Sequence, residues 1–376
     1  MNAPRVGLIG TGGHGGSHLA RLQRRHAAGT VRLVAVADPH PPAPEDLPDG
    51  VRRHTDGADL IAAGGIDVVV ICTPIHTHFR LAAAAVATGC DVLLEKPTTA
   101  TMAEFVELEA RAARAGARVQ VGFQSLGSSA IPSIRERVAR GEIGQVVRYS
   151  ATGAWVRDSR YWQRSRWAGK RTLDGQVVAD GVLTNPLAHA SATALAIAGA
   201  TARADVEHLD LDLWRANDIE ADDTSVAVFS LPGEVRLTTA VTLAAQRHHD
   251  PFVEVVGTAG SLRFWYKTDV VERREGGIVR EAAHAVTVDL LDNLLAARRG
   301  EAELLASLPQ TGAFMTLVDG VMSAPDPSPV PARCTVERDD EFGRHVVVRG
   351  IEDDLARALE QERTFRQLGS DFTRIA

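Results

Sequence analysis

A run of glycines near the N-terminus has the spacing of a phosphate-binding turn. It reads Gly-Thr-Gly-Gly-His-Gly over residues 10–15 and directly follows the apolar residues 6–9. In such a run the first glycine permits a tight turn, the second lets a pyrophosphate approach the backbone, and the third lets a helix pack on the strand. The helix N-terminus then offers N–H groups and partial positive charge to the phosphates. The run predicts dinucleotide contacts at Gly10, Gly12, Gly13, His14 and Gly15.

An acidic residue lies where an adenosine ribose needs a hydrogen-bond acceptor. The apolar residues 31–37 end at Asp38, 23 residues beyond Gly15. A carboxylate there can accept hydrogen bonds from both ribose hydroxyls and repels a 2′-phosphate. No Arg or Lys follows in Asp-Pro-His-Pro-Pro, so the pattern favours NAD over NADP. The alternative is a solvated aspartate in a turn before Pro39.

Short apolar runs alternate with alanine-rich stretches along the first 122 residues. The predicted strands are residues 6–9, 31–37, 68–72, 92–94 and 118–121, and the predicted helices are residues 16–28, 77–88 and 101–115. The runs are continuously apolar, which is typical of strands covered by helices on both faces. Alternating strands and helices that open on a glycine-rich turn predict an α/β fold, a Rossmann doubly wound parallel sheet.

The pattern changes after residue 123. Apolar residues alternate with period two over residues 209–213 and 235–243, which predicts long strands with one packed face and the other exposed or at an interface. Helical patterns lie at residues 133–140, 287–298 and 312–323, and a proline-rich break spans 324–332. We predict an α+β domain with a large, mostly antiparallel open sheet. Because an exposed apolar face must be covered, we also predict a homodimer or homotetramer.

Three regions follow from these patterns. We predict an NAD(P)-binding Rossmann domain over residues 1–122 and a substrate-binding and oligomerisation domain over residues 123–324. Residues 325–376 form a C-terminal extension that we expect to pack on the second domain, with a strand at 344–349 and a helix at 352–368.

Composition argues against several classes of protein. The 376 residues include 41 Lys and Arg and 48 Asp and Glu, a net charge of −7 that does not suit nucleic-acid binding. No apolar run reaches the ~20 residues of a membrane span, and the N-terminus lacks the layout of a signal peptide, so we predict a cytoplasmic protein with no membrane partner. Cys72, Cys90 and Cys334 lie far apart and are expected to be reduced thiols.

Five further motifs follow the glycine run in order. They are Thr73-Pro-Ile-His-Thr-His78, Glu95-Lys-Pro97, Val121-Gly-Phe-Gln124, Gly141-Glu-Ile-Gly144 and Val255-Val-Gly-Thr-Ala-Gly-Ser261. With these motifs, residues 5–323 resemble the glucose–fructose oxidoreductase / inositol dehydrogenase / rhizopine-catabolism (Gfo/Idh/MocA) family. The resemblance implies an NAD(P)-dependent oxidoreductase that acts on CH–OH groups. It also implies cofactor contacts at Thr73, Pro74, His78, Glu95, Lys96 and Gln124.

The resemblance implies two catalytic residues. Lys96 belongs to the Glu-Lys-Pro motif at the end of a predicted strand, and ligands of open α/β sheets bind beyond the carboxyl ends of strands. Residues 180–189 are similar to the family's Gly-Gly-x-Leu-x-Asp-x-x-x-His stretch, which makes His189 a general base for oxidation and an acid for reduction. The alternatives are a surface lysine beside a proline and a structural helix histidine.

Asn185 departs from the family pattern, in which many sugar dehydrogenases have Asp at this position. An amide can donate and accept hydrogen bonds but carries no charge that would raise the pKa of a neighbouring imidazole. Residues 185 and 189 would share one face of a helical turn, so we predict that Asn185 orients a substrate hydroxyl or His189. Asn185 could also be a helix N-cap, since Pro186 follows it.

Residues 157–170 combine arginines with a concentration of aromatic side chains. Aromatic faces suit the CH faces of a sugar ring, and their polar tips suit its hydroxyls. We predict that this segment lines the substrate pocket, and the alternative is a structural or inter-subunit loop. The predicted contacts are Arg157, Tyr161, Trp162, Trp167 and Lys170.

Two pairs of histidines were considered as metal ligands. His76 and His78 lack Asp, Glu or Cys at metal-site spacing. His248, His249 and Asp250 could bind a metal, but the following Pro251 favours a solvated turn. We predict no metal centre.

The implied activity is an NAD-dependent dehydrogenase or reductase acting on a secondary alcohol of a sugar, polyol or sugar derivative. Two alternatives stay open. One is a redox-assisted glycosidase or lyase that recycles its NAD, and the other is a non-catalytic regulator that binds a dinucleotide.

Overall fold

The computed structural model describes residues 3–374. They divide into two compact units, residues 3–123 with 289–308 and residues 124–288 with 309–374. The helices are α1 (His14–Ala27), α2 (Gly57–Ala62), α3 (His78–Ala87), α4 (Met102–Ala115), α5 (Ala130–Ala139), α6 (Ala188–Ala198), α7 (Leu290–Arg298), α8 (Gly312–Ser323), α9 (Ile351–Gln361) and α10 (Phe365–Leu368). Among the described residues, none of the helices combines the length and apolarity needed to cross a membrane.

The strands are short in the first unit and longer in the second. They are β1 (Arg5–Ile9), β2 (Arg32–Ala37), β3 (Arg52–His54), β4 (Val68–Ile71), β5 (Asp91–Leu94), β6 (Val119–Val121), β7 (Val146–Val156), β8 (Thr172–Leu173), β9 (Gln176–Val177), β10 (His208–Arg215), β11 (Thr224–Leu231), β12 (Val235–Thr242), β13 (Ala244–Gly257), β14 (Gly260–Trp265), β15 (Val270–Glu275), β16 (Ile278–His284), β17 (Ser328–Pro329), β18 (Thr335–Asp340) and β19 (Gly343–Val348).

The first unit contains a six-stranded parallel sheet in the order β3-β2-β1-β4-β5-β6. Every residue of β4 and β5 is buried, and all of them are aliphatic except the first residue of β5, Asp91. The strand order reverses at β1, which is the arrangement of a Rossmann sheet. The predicted fold class of this region is confirmed.

A later segment, residues 289–308, returns to the first unit. The buried Gln120 of β6 donates from Nε2 to Asn293 Oδ1 at 2.6 Å and accepts from the Ala306 amide at 3.1 Å. Arg298 at the end of α7 lies 2.7 Å from the buried Asp91 carboxylate. The predicted division at residue 122 did not include this return of the chain.

The second unit is built on a nine-stranded sheet in the order β16-β15-β14-β13-β7-β12-β11-β10-β17. Its pairs are antiparallel except β7 with β12 and β10 with β17. This mostly antiparallel sheet confirms the predicted α+β architecture.

Helices cover both faces of the centre of this sheet. On one face α6 packs on β7 and β12, where Ser191 Oγ lies 3.2 Å from Thr239 Oγ1. On the other face α9 packs on the same strands, and Ala240 joins the apolar cluster that the C-terminal extension makes. Residues 237–242 are therefore all buried. The expectation of an exposed or interfacial face is wrong for this part of the sheet, because the extension covers it.

The C-terminal extension supplies its own aromatic core. Phe365 and Phe372 are buried, with ring centroids 5.1 Å apart, and Phe372 meets the Trp214 ring edge-on at 5.2 Å. The predicted helix over residues 352–368 is divided in the structure, because Glu362 adopts a left-handed conformation with φ of 54°. The two-stranded β18–β19 hairpin precedes these helices.

Candidate active site

The glycine turn of the first unit combines two crowded positions with two open ones. A Cβ on Gly10 would lie 2.1 Å from the Cys72 carbonyl oxygen, and one on Gly15 would lie 2.2 Å from the Gly10 carbonyl oxygen. A Cβ on Gly12 or Gly13 would meet no heavy atom within 4 Å. The first turn of α1, which begins at His14, carries no acidic side chain. Open space beside a helix N-terminus fits the phosphates of a dinucleotide.

Asp38 connects the end of β2 to the glycine turn. Its Oδ2 accepts from the Thr11 amide at 2.8 Å, and its Oδ1 accepts from the His40 amide at 3.0 Å. Partial burial raises the pKa of this carboxyl, but the hydrogen bonds outweigh burial and the net effect lowers its pKa. Asp38 is thus held as a carboxylate, the form that a ribose hydroxyl needs as an acceptor.

Thr73, Pro74 and His78 follow β4, and His78 links two turns. Its Nδ1 lies 2.9 Å from the Pro97 carbonyl oxygen and its Nε2 lies 2.8 Å from that of Thr73. Burial lowers the pKa of His78, and the hydrogen bonds to the two carbonyl groups oppose that effect. His78 therefore positions the turns after β4 and β5.

Glu95 after β5 is a buried carboxylate held by two imidazoles. Its Oε1 lies 2.9 Å from His18 Nε2 and 3.4 Å from His14 Nε2, and its Oε2 accepts from the Lys96 amide at 3.3 Å. Burial opposes ionisation, but the two histidines hold the pKa of Glu95 well below its usual range. The space is tight, since a Cβ on Gly122 would lie 2.7 Å from the carboxylate. The Lys96–Pro97 peptide bond that follows is cis.

The same three side chains are the group among residues 3–374 whose ligand atoms could hold a metal ion. One atom from each of His14, His18 and Glu95 lies within 4.8 Å of the others. The hydrogen bonds above account for this arrangement without an ion. The nitrogens of His78, the second histidine of the His-x-His pair, both face carbonyl groups.

In the second unit, His189 lies on the first turn of α6. From residue 180 to residue 197 every residue is buried except Asn185, Pro186 and His189. His189 Nδ1 lies 3.2 Å from Ser125 Oγ, which accepts from Thr193 Oγ1 at 2.8 Å. A hydroxyl can both accept from and donate to an imidazole nitrogen, so this contact is compatible with either neutral tautomer.

Asn185 is not the N-cap that its sequence allowed. The helix begins at Ala188 with Leu187 at its N-cap, so residues 185 and 189 do not share a helical turn. Asn185 instead donates from Nδ2 to Asp180 Oδ1 at 2.5 Å. Arg164 Nη2 lies 2.7 and 2.9 Å from the two Asp180 oxygens, and the Gly169 amide donates to one of them at 2.7 Å. Burial raises the pKa of the Asp180 carboxyl, and these donors oppose that effect without cancelling it, so the pKa stays above its usual value.

The predicted pocket loop brings some of its residues together and separates others. The Arg157 guanidinium lies over the Tyr161 ring at 4.9 Å, and Arg164 lies over the rings of Tyr161 at 3.9 Å and Trp167 at 4.7 Å. The Lys170 amide donates to the Trp167 carbonyl oxygen at 3.1 Å, and its ammonium group pairs with Glu220 at 2.6 Å. The faces of the Tyr161 and Trp167 rings therefore pack against arginine side chains of the same loop.

Trp162 meets the Tyr161 ring edge-on, with ring centroids 4.9 Å apart, and lines a cavity. The cavity has a volume of about 350 Å³ and includes the β18–β19 hairpin in its wall. The indole Nε1 of Trp162 is buried without a hydrogen-bond partner. Gln124, predicted as a cofactor contact, begins a short turn of the second unit.

Four residues of these arrangements had no role in the sequence prediction: His18, Ser125, Arg164 and Asp180. His18 lies four residues after His14, so helical spacing could have indicated that the two share a partner. Asp180 is the first residue of the motif segment that ends at His189, so the sequence did indicate a carboxylate near the predicted site. Ser125 had no signal, because 64 residues separate it from His189.

Sequence comparison identifies both regions of the chain. Residues 4–123 match the sequence model described as "Oxidoreductase family, NAD-binding Rossmann fold", and residues 131–263 match that of the GFO/IDH/MocA C-terminal domain. The matched ranges together cover well over half of the chain.

Curated relatives match over a shorter region. Inositol 2-dehydrogenase 1 of Saccharopolyspora erythraea is 36% identical over 148 residues, which are 38% of this chain and 43% of that protein. The rhizopine catabolism protein MocA of Rhizobium meliloti is 29% identical over 147 residues, 39% of this chain and 45% of that protein. These matches span less than half the length of either relative.

Solved structures match over most of the chain. The WlbA dehydrogenase from Bordetella pertussis, solved with NADH and UDP-GlcNAcA, has a TM-score of 0.68 and 22% identity, covering 85% of this chain and 95% of that one. A levoglucosan dehydrogenase in complex with NADH also has a TM-score of 0.68, with 16% identity over 85% of this chain and 96% of that one. At these identities the likeness shows a shared fold.

Proposed function

The chain belongs to the Gfo/Idh/MocA oxidoreductase family, and from this premise we propose that it is an NAD-dependent dehydrogenase or reductase. Its substrate in this proposal is a secondary alcohol, or the corresponding ketone, of a sugar, polyol or sugar derivative. The names of its relatives, among them inositol and levoglucosan dehydrogenases, support this substrate class. The observation that carries the proposal is the partial exposure of Asn185 and His189 in an otherwise buried segment.

The glycine turn and Asp38 would hold the cofactor. The open positions at Gly12 and Gly13 leave room for phosphates, and the ionised Asp38 offers acceptors to ribose hydroxyls and repels a 2′-phosphate. This charge is the reason for proposing NAD over NADP. When bound, the nicotinamide supplies the hydride acceptor or donor.

Two side chains carry the remaining chemistry in this proposal. Lys96 binds and polarises the substrate oxygen as a cationic donor, and His189 accepts the hydroxyl proton during oxidation and returns it during reduction. The Ser125 hydroxyl restrains the imidazole of His189 at Nδ1. Glu95, pinned between two histidines, fixes the backbone from which Lys96 projects, because its Oε2 accepts from the Lys96 amide.

The test is NADH absorbance during incubation with NAD and a panel of polyols, monosaccharides and glycosides. We expect one class of polyol or sugar to produce NADH stoichiometrically and the Lys96→Ala variant to lose at least about 100-fold in kcat/KM. A His189→Ala variant that still binds NAD should lose activity similarly. Arg111→Ala is the control for the loss of a cation, because this half-exposed arginine of α4 pairs with Glu107 at 2.7 Å and has no role in the proposed site.

Two other results would contradict the dehydrogenase proposal. Release of an aglycone from a glycoside without accumulation of NADH would indicate redox-assisted elimination with recycled NAD. Tight NAD binding without turnover of any compound would indicate a dinucleotide-binding regulator.

We also propose that the protein is cytoplasmic and forms a homodimer or homotetramer. The second point is supported by β16, an edge strand whose seven residues are all exposed, with Ile278 at 58%. Exposed edges of sheets are places where chains associate unless they are protected.

A further inference from the structure

We propose that Asp180 is a positioning residue that makes Asn185 a fixed hydrogen-bond acceptor for a hydroxyl of the substrate. This inference rests on the dehydrogenase activity proposed above and narrows its substrate class. Asp180 is buried, with a side chain that is 1% exposed.

The Asp180 carboxylate is surrounded by nitrogen donors. Arg164 reaches both of its oxygens, and the Gly169 amide and Asn185 Nδ2 each donate to one. A buried carboxylate in this environment is satisfied as an acceptor and needs no proton of its own. Its negative charge is paired with Arg164, so it is neutralised within the protein.

The carboxylate decides which way the Asn185 amide faces. An ionised carboxylate only accepts hydrogen bonds, whereas an amide has one donating and one accepting end. Turning the amide by 180° would bring Asn185 Oδ1 within about 2.5 Å of Asp180 Oδ1, with two acceptors in contact. The donating end of Asn185 is therefore committed to Asp180, and the end directed away from Asp180 is the carbonyl oxygen.

Asn185 consequently presents the hydrogen-bonding character of a carboxylate without its charge. It lies at one of the few partly exposed positions of residues 180–197, and His189 is another. A fixed carbonyl oxygen pairs with a hydroxyl that donates, and it disfavours an anionic group, because that group has only lone pairs to offer. The geometry points to a substrate that presents a donating hydroxyl, and not an anionic group, to Asn185.

The test uses the sugar or polyol that the wild-type chain turns over, with its singly deoxygenated and O-methylated analogues. Asp180→Asn allows either end of the Asn185 amide to face residue 180. We expect kcat/KM to fall about tenfold, mainly through KM, and the discrimination against one deoxygenated analogue to shrink by a similar factor.

Exchanging the residues at positions 180 and 185 should restore activity, which would not be expected if Asp180 only stabilised the fold. Asp180→Asn combined with Asn185→Asp places the donating amide at position 180 and the accepting group at position 185. We expect this double variant to return to within about threefold of wild-type kcat/KM. Asn185→Asp alone brings two carboxylates together and should remain less active than the double variant.

Asp212→Asn is the matched control. Asp212 is also fully buried in the second unit and is also paired with an arginine, Arg366, at 3.0 Å. We expect it to lower the melting temperature without changing KM or the discrimination. If Asp180→Asn does not fold, Asn185→Leu, which keeps the size and removes the carbonyl, should lose the same discrimination.

Three results would overturn the inference. A folded Asp180→Asn variant with wild-type KM and discrimination shows that Asp180 does not set the character of Asn185. A double variant no better than Asp180→Asn shows the same, while the dehydrogenase proposal stands in both cases. A wild-type chain that binds NAD and turns over no panel compound overturns both proposals together.

Discussion

Gly12 and Gly15 lie three residues apart in the same turn but have different surroundings. An added Cβ at position 15 would overlap the Gly10 carbonyl, and one at position 12 would enter open space. Packing therefore requires one glycine, and the proposed cofactor requires the other.

We expect Gly15→Ala to lower the free energy of unfolding by about 1–3 kcal/mol, because α1 must move away from β1. Gly12→Ala should change stability by no more than about 0.5 kcal/mol but weaken NAD binding about tenfold or more, since the methyl group occupies the space of the phosphates. Thermal unfolding and NAD titration by calorimetry measure the two effects. Unchanged NAD affinity in Gly12→Ala would place the phosphates elsewhere.

At the scale of single residues, the sequence indicates short motifs but not the contacts that their residues make with distant parts of the chain. Lys96 and His189 were predicted as catalytic because each belongs to a short motif of characteristic spacing, and their roles stay predictions. The Asp180–Arg164 pair and the Ser125–His189 contact join residues 16 and 64 positions apart. Such contacts depend on how loops fold back on the sheet, and a single sequence carries no periodic signal for them.

Among the elements, the helices of the C-terminal extension make the most testable contribution to stability. Phe365 is fully buried in the apolar cluster under the sheet, whereas Phe342, at the tip of the β18–β19 hairpin, is 40% exposed. Both belong to the extension, so they form a matched pair.

We expect Phe365→Ala to destabilise the second unit by about 3–5 kcal/mol, through lost burial and the cavity that remains. Phe342→Ala should change the free energy of unfolding by no more than about 0.5 kcal/mol. Urea unfolding followed by tryptophan fluorescence suits this comparison, since Trp214 contacts the cluster. Equal effects of the two substitutions would show that the extension is not anchored through Phe365.

The elements were predicted where their sequences were long or strongly apolar. Strands β1, β2, β4 and β5 contain continuous apolar runs and β6 is Val-Gln-Val, and the parallel sheet was predicted from the alternation of these strands with helices. Strand β3 was missed because it is three residues of Arg-Arg-His at the sheet edge, and α2 because it has six residues. The covered second face of the large sheet was missed because alternation in β12 cannot show that a distant helix packs on it.

At the scale of the whole molecule, the number of chains in the proposed assembly can be measured directly. The exposed edge strand β16 carries Ile278 and Val279, at 58% and 42% exposure, and Val286 just beyond it is 70% exposed. We expect sedimentation velocity to give two or four times the 40.2 kDa of one chain. A mass of one chain at micromolar concentration would contradict the predicted assembly, and Ile278→Lys should shift the distribution toward single chains if β16 takes part.

A ribosome completes strands β1 to β6 long before it makes Asp289 and α7. Until residue 306 has emerged, Gln120 lacks the partners that satisfy its amide, and an unsatisfied buried polar group costs about 1–3 kcal/mol. The strands β7 to β16 of the other unit are synthesised in this interval. Although domains usually fold in the order of their synthesis, the N-terminal unit of this chain reaches its final form only after most of the second sheet has been translated.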